Sequence, residues 1–311
     1  MSEAAEPAVA LEAAVRESRR SRWTRERTES TVITVLKWAG VIFFVVATVF
    51  PFLYMLLLSV RPIADLALEP GRLFVPLERL TFGTYDEVLR STDQGGQGFL
   101  SFLRNSAIVA TAAVLASLLL AIPGAYAVSR LDFFGRRQVN FVFLAVYLFP
   151  AILLAIPLFV IFTRLGLRGS LIGLVIVYFS QTVPVTIHML RTYFGTVPES
   201  LEESAALEGA NRFQIMRHIS VPLALPAIMS TGLFVFMIAW NEFLFALLFL
   251  VDRRESWTVS LGLSQLASST IEVPTTVVMA GAVILTVPII VVFFLTERLL
   301  VEGLTAGAEK G

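Results

Sequence analysis

The stretch Val197–Pro226, VPESLEESAALEGANRFQIMRHISVPLALP, is polar and helix-forming, yet it lies between two segments apolar enough for lipid. A folded, polar insertion in such surroundings implies that something soluble docks there. Ser200 followed three residues later by Glu203 fits a capping box, in which the hydroxyl accepts from one orphan amide and the carboxylate from another. Glu199, Glu202 and Glu203 stand near the positive end of the same helix dipole. The spacing predicts a first helix from Leu201 to Glu208, ended by Gly209, a residue type that enters a left-handed cap without steric penalty. Asn211 is a candidate cap for a second helix. That helix carries Phe213, Met216 and Ile219 on one side and is expected to end near Pro222, which has no amide to continue the bonding. Ser204, Ala205 and Ala206 leave the first helix nearly bare, so another protein can approach closely. The plainer alternative is an ordinary loop helix with a good cap, since capping boxes are common.

The spacing favours the docking reading. Glu203-Ser204-Ala205, three residues, Gly209, nine residues, Ile219, one residue, Val221-Pro222 resembles the signature E-A-A, x3, G, x9, I-x-L-P. That signature marks the membrane subunits of binding-protein-dependent bacterial ABC importers. Ser204 for Ala and Val221 for Leu are the departures, and both roughly conserve size. A match of about twenty residues with two helix-breaking positions fixed is far more specific than a lone glycine-rich pattern. The resemblance implies that Glu203, Ser204, Ala205, Gly209, Ile219, Val221 and Pro222 belong to a coupling helix pair that fits a cleft of the ATP-hydrolysing subunit.

Composition agrees with a membrane subunit. A chain of 311 residues, 56% hydrophobic and 15% charged, with mean hydropathy +0.79, is not a soluble domain around one core. Its apolar residues come in runs of about 18 or more, the length of membrane spans. With no cysteine, a disulfide framework or thiolate metal site is excluded. The formal net charge is +0, so the placement of charge is informative and its total is not. The lysines are Lys37, after Leu36, and Lys310, after Glu309. A phosphate-cradling G-x-x-x-x-G-K-[ST] loop needs Lys after Gly. Any ATPase must therefore be another polypeptide, and no cofactor is expected on this chain.

In chain order, residues 1–31 form a cytoplasmic polar arm with a cluster at Arg16, Arg19, Arg20, Arg22, Arg25 and Arg27. Arginines just before a first span place the amino terminus in the cytoplasm. A nucleic-acid tail or cleaved targeting peptide fits less well, because acidic residues interrupt the run and the following apolar stretch exceeds a signal core. The first span is expected over 32–60. An external loop follows over 61–105, rich in Pro and Gly, with one short helix near Tyr85–Arg90. The core membrane domain then covers 106–297, with the cytoplasmic coupling loop at 197–222 and a cytoplasmic tail at 298–311. Within it, the second span is expected over 106–128, and Arg130, Arg136 and Arg137 behind it repeat the positive-inside signal. The third, 139–162, carries Pro150 and Pro157 as bends. The fourth, 171–190, turns polar at Ser180, Gln181, Thr182, Thr186 and His188. The fifth, 223–249, contains Trp240-Asn241-Glu242-Phe243, and the sixth, 275–295, contains Pro288.

Polar groups at membrane depth usually face the bundle interior, so Gln181, Asn241 and Glu242 are candidates for the pathway or for interhelical bonds. Trp240 suits the outer membrane interface equally well. His188 has no second His or carboxylate at ligand spacing and His218 no better claim, so no metal is expected.

The tail Gly303–Gly311 is small and flexible in composition, which at a chain end usually means disorder. It also resembles the G-L-T-x-G-x-x-K-G ending of the carbohydrate branch, the maltose-type second permease. Asn105-Ser106, Arg136 after Phe-Gly, Leu165-Gly166-Leu167 and Trp240-Asn241-Glu242-Phe243 extend that likeness over nearly all the chain after the arm. It implies tail contacts to the ATPase from Leu304, Thr305, Gly307 and Lys310, and a last external loop that reaches the binding protein.

The chain is thus expected to be an all-α polytopic membrane protein of six transmembrane helices, with the type I ABC importer permease fold and both termini cytoplasmic. The resemblance implies a second homologous permease, an ATPase dimer that uses ATP, an extracytoplasmic solute-binding protein and surrounding lipid, but no nucleic acid. The solute implied is a sugar or oligosaccharide. The alternatives are a non-carbohydrate importer or a stand-alone secondary transporter or channel; against the latter stand the lack of an inverted repeat of broken helices and of a buried charge series.

Overall fold

The computed structural model describes the backbone of residues 6–68, 76–268 and 273–308, and most of those side chains between Thr31 and Glu297. The chain forms two units, Met1–Leu57 and Leu58–Gly311. In the first, α1 (Glu6–Ser59) is one helix from within the arginine-bearing arm through the candidate span Thr31–Ser59. Val41, Phe43, Phe44, Val46 and Phe50 are exposed around its circumference, as expected of a helix apolar on all sides and solvated by lipid.

In the second unit, α2 (Ile63–Leu68) and α3 (Gly83–Leu89) lie in the expected loop. The long helix α4 (Phe99–Arg130) follows, then α5 (Arg136–Leu148), α6 (Ala155–Arg164) and α7 (Leu171–Phe194). The 197–226 stretch supplies α8 (Glu199–Leu207), α9 (Arg212–Ile215) and α10 (Val221–Leu223). The chain closes with α11 (Leu225–Asn241), α12 (Leu244–Leu250), α13 (Val259–Ala267) and α14 (Thr275–Ala308). Among the described residues four helices are long and apolar enough to cross a membrane, and the spans number up to six if each of two bent pairs counts as one.

The central helix is α4, which packs most extensively on α7 and next on α11. The reason is in its sequence: Ala110, Ala113, Ser117, Ala121 and Ala125 recur every three or four residues and are wholly or almost wholly buried. Small side chains at this spacing let helix backbones approach where lipid offers no hydrophobic drive. At the crossing Ser117 Oγ and the Thr182 hydroxyl are 2.8 Å apart, both buried.

Three boundaries differ from expectation. The helix that carries the second span begins at Phe99, seven residues before Ser106, because Gly98 (φ 76°) turns the chain into the helix and Phe99 and Phe102 are core residues. Asn105 and Ser106 therefore lie inside α4, where they fasten a later loop. Asn105 Nδ2 donates to the carbonyls of Glu255 (2.8 Å) and Trp257 (3.0 Å), and the Val259 amide donates to Ser106 Oγ (2.8 Å) at the start of α13. The third span is broken, not merely kinked: Pro150 follows the end of α5 and α6 leaves at 86°. Pro157 sits in the first turn of α6, where its missing amide has no intrahelical partner to lose. The fifth span is also interrupted, at Glu242-Phe243 between α11 and α12.

Two family-like features have clear local roles. Leu165-Gly166-Leu167 closes α6 as a Schellman motif: the Leu167 amide reaches the Phe162 carbonyl and the Gly166 amide that of Thr163, with Gly166 at φ 69°. Arg136 folds back on the end of α4, donating to the carbonyls of Val128 and Ser129, each at 2.7 Å. The carboxy-terminal stretch is helical in its backbone through Ala308, so Leu304, Thr305 and Gly307 continue α14; Lys310 lies outside the described residues.

Candidate docking site and its anchor

The expected helix–turn–helix is present, with corrected details. Helix α8 starts from Pro198 as N-cap, without a side-chain cap, so Ser200 lies inside the helix and the Ser200–Glu203 capping box is not formed. Instead the Ser204 hydroxyl donates to the Ser200 carbonyl at 2.8 Å, and Glu203 is exposed. The helix ends as expected at Gly209, φ 91°, in a Schellman motif whose bonds run from the Gly209 amide to Ala206 O and from the Ala210 amide to Ala205 O, both 3.0 Å. The true capping box is on α9. The Gln214 amide donates to Asn211 Oδ1 at 3.0 Å, and the Asn211 amide to Gln214 Oε1 at 2.8 Å.

The second helix ends at Leu223, near Pro222 as expected, although the proline itself does not stop it. Residues Met216–Ser220 form a π-turn, closed by the Val221 amide on the Met216 carbonyl. The extra residue places Pro222 in the first turn of α10, where a missing amide is harmless. The chain then bends by 76° at Ala224. The side chains turned inward are Ile215 and Ser220, with Met216 and Ile219 half-buried; Phe213 is 63% exposed.

The residue that fixes this loop is Glu202, one position before the signature glutamate. Its carboxylate is buried and accepts three bonds: from Arg130 Nε (3.1 Å) and Ser220 Oγ (2.9 Å) on Oε1, and from the Tyr126 hydroxyl (3.2 Å) on Oε2. Arg130, the last residue of α4, has a side chain only 5% exposed. Besides Glu202, its guanidinium reaches Glu199 Oε1 at 3.0 Å and the carbonyls of Phe194 and Val197 at 2.7 and 2.5 Å. The cation thus sits at the negative end of α7 while both glutamates occupy the first turn of α8, the favourable arrangement at each helix end. A buried ion pair persists only when its remaining donors and acceptors are satisfied, and four elements meet here to satisfy them. Drawing residues 197–199 onto Arg130 is also why α8 starts earlier than its serine suggests.

Beside this anchor the loop has a surface that is uncharged in its middle and open. Ala205, Gly209, Ala210, Ile215 and Ile219 line a shallow groove of about 370 Å³, edged by Glu208, Gln214 and His218. Leu207 beside it is 90% exposed, and Leu201 and Phe213 are exposed too. Of the signature residues, Ser204, Gly209 and Pro222 are exposed, and Ala205, Ile219 and Val221 are half-buried. Large apolar side chains around a small-residue groove form an exposed apolar patch, a feature that on protein surfaces marks contact sites.

The intramembrane candidates are not brought to one point. Glu242 is half-buried at the break of the fifth span. It accepts from the Tyr178 hydroxyl (2.5 Å) and from the amides of Phe245 (2.8 Å) and Ala246 (3.2 Å), so it caps α12 and ties it to α7. Asn241 is exposed and bonds back to the Met237 carbonyl, while Gln181 keeps its Nε2 buried without a partner among the described residues. Trp240 is buried: it is 2% exposed, stacks on Phe236 and donates to the Leu285 carbonyl, three residues before Pro288. His188 is exposed, and His218 Nδ1 lies 3.0 Å from the Gln214 carbonyl.

Residues 113–304 match the family described as the binding-protein-dependent transport system inner membrane component. The chain belongs to this family. The permease is 36% identical over 278 residues to the inner membrane ABC transporter permease protein YcjP of Escherichia coli (strain K12), covering 88% of this chain and 95% of that one. It is 35% identical over 283 residues to the trehalose/maltose transport system permease protein MalG of Thermococcus litoralis, covering 91% and 99%. A chain of the crystal structure of a bacterial ABC transporter involved in the import of the acidic polysaccharide alginate shares its fold, with TM-score 0.72 and 24% identity over 86% of this chain and 96% of that one. The permease is a multi-pass protein of the cytoplasmic membrane.

Proposed function

We propose that the permease forms half of the membrane path of an ATP-driven importer for a sugar or oligosaccharide, and that its 197–222 loop seats in a cleft of a separate ATPase. One observation carries the docking reading: the loop is bolted through Glu202 to the arginine end of α4, while it leaves Leu207 and the Gly209 groove open. The arginines that mark a cytoplasmic loop by the positive-inside rule, Arg130, Arg136 and Arg137, thereby stand at the same end as the docking surface. Both termini are then cytoplasmic, and a solute-binding protein meets the opposite end, where Asn105 and Ser106 hold the 255–259 loop. ATP belongs to the partner, because neither Lys37 nor Lys310 follows a glycine. The carbohydrate solute is supported by the names of the relatives, trehalose/maltose for one and alginate for a structural neighbour. A second homologous permease completes the path.

Two measurements test this. Reporters fused after Gly135 and after Ala210 are expected to report cytoplasm, and one near Gly95 the outside; an external Ala210 would overturn the orientation. Gly209→Ala forces an L-residue to φ 91°, a strain of about 1–2 kcal/mol, and swings α8 against α9. The inserted variant is expected to co-purify less ATPase and to take up less solute. Normal recovery and uptake would contradict the docking role.

A further inference from the structure

We infer that Arg130 is the joint through which movement of the docking loop reaches α4, a positioning role that rests on the docking reading but is separable from ATPase capture. The chain joins the loop to the bundle twice, and neither connection is a continuous helix. On one side the Gly195–Pro198 turn separates α7 from α8; on the other the chain bends by 76° between α10 and α11. A push on the loop would be absorbed at both bends. The central helix α4 has no nearby covalent link to the loop. Its side-chain bonds to the loop converge on Arg130 and on Tyr126, which Arg212 also faces. Arg130 ties α8 through Glu199 and Glu202, the turn through the Val197 carbonyl and the end of α7 through the Phe194 carbonyl. Glu202 extends the same joint to the π-turn through Ser220. A planar guanidinium can serve all these acceptors at once, whereas an ammonium of the same charge has neither the fork nor the reach. Arg130, Tyr126 and Glu202 do not line the groove and Leu207 makes none of these bonds, so capture and transmission use different side chains.

The test uses the assembled complex in proteoliposomes, carrying Arg130→Lys or Glu202→Gln, two changes that keep a polar group in the buried site. Three quantities are read: on the unlabelled permease, the ATPase recovered per permease and the ratio of ATP hydrolysis with to without solute-loaded binding protein; and, in a separate labelled preparation compared with its own labelled wild type, the spin-label distance between Leu207→Cys and Leu119→Cys. The native chain has no cysteine, and both positions are at least 80% exposed. Expected are wild-type ATPase recovery, a stimulation ratio lowered at least about fivefold, the lower end of ordinary coupling between linked sites, and a broadened Leu207–Leu119 distance in Arg130→Lys. An unchanged ratio and distance in both assembled variants would overturn the inference. So would loss of the ATPase in proportion to the loss of stimulation, because capture and transmission would then be one function. Failure of the wild-type permease to retain the ATPase would instead reject the docking reading itself.

Discussion

Glu202→Ala is expected to destabilise the permease by up to about 3–5 kcal/mol, the usual penalty for breaking a buried pair, reduced in so far as Glu199 stays on Arg130, while Glu203→Ala beside it leaves folding unchanged. The contrast follows from burial. Glu202 is 4% exposed and holds Arg130, Ser220 and Tyr126, whereas Glu203 faces outward with no bond among the described residues. Removing Glu202 strands the Arg130 guanidinium with its Nε unpaired and frees the Ser220 hydroxyl from the π-turn side. Thermal unfolding in detergent, followed by the monodisperse fraction on size exclusion, reads the difference. Glu203→Ala should instead show its effect on ATPase recovery. Equal stability losses at the two positions would contradict the placement of the buried pair.

Glu242→Ala is the second large effect expected. It removes the acceptor for the Phe245 and Ala246 amides and for the Tyr178 hydroxyl together. Hydrogen bonds to a charged group contribute about 1.5–3 kcal/mol each and are not additive, so a loss on the order of 3 kcal/mol is expected, with Tyr178→Phe losing less. The distinguishing signature is local. Amide exchange at Phe245 and Ala246 should accelerate in Glu242→Ala and stay slow in Tyr178→Phe, because the phenol contributes nothing to those two amides. Protection of both amides in Glu242→Ala would mean that the break between α11 and α12 is capped by other means.

The spans and the loop were legible because their signals are local. Runs of apolar residues, Gly209 after a helical stretch and Asn211 ahead of the second helix each act through their own neighbours. What escaped the sequence depends on distant partners. Glu202 and Glu203 are indistinguishable by local rules, and only Arg130, 72 residues away, makes one of them the anchor. Arg130 itself carried a topological signal and so hid its structural one. The start of α4 was misplaced because Arg104 and Asn105 look like the polar edge of a span, although Asn105 is spent on loop carbonyls 150 and 152 residues further on. A better local clue stood just before it, in Gly98 followed by Phe99. The break at Glu242 was visible only as a costly intramembrane acid. Its service to two amides three and four residues later is the local signal that, read as a helix cap, would have divided the fifth span.

The most direct test of the central claim, that the 197–222 loop is where a separate ATPase seats, is site-specific cross-linking from single cysteines in this naturally cysteine-free chain. Leu207→Cys, 90% exposed beside the Gly209 groove, is compared with Leu119→Cys, 80% exposed in the middle of α4, in membranes containing the co-expressed ATPase and a short bifunctional reagent. The account predicts a permease–ATPase adduct from position 207, altered by nucleotide, and none from position 119. No adduct at 207 under conditions where the complex is assembled and transporting would contradict it.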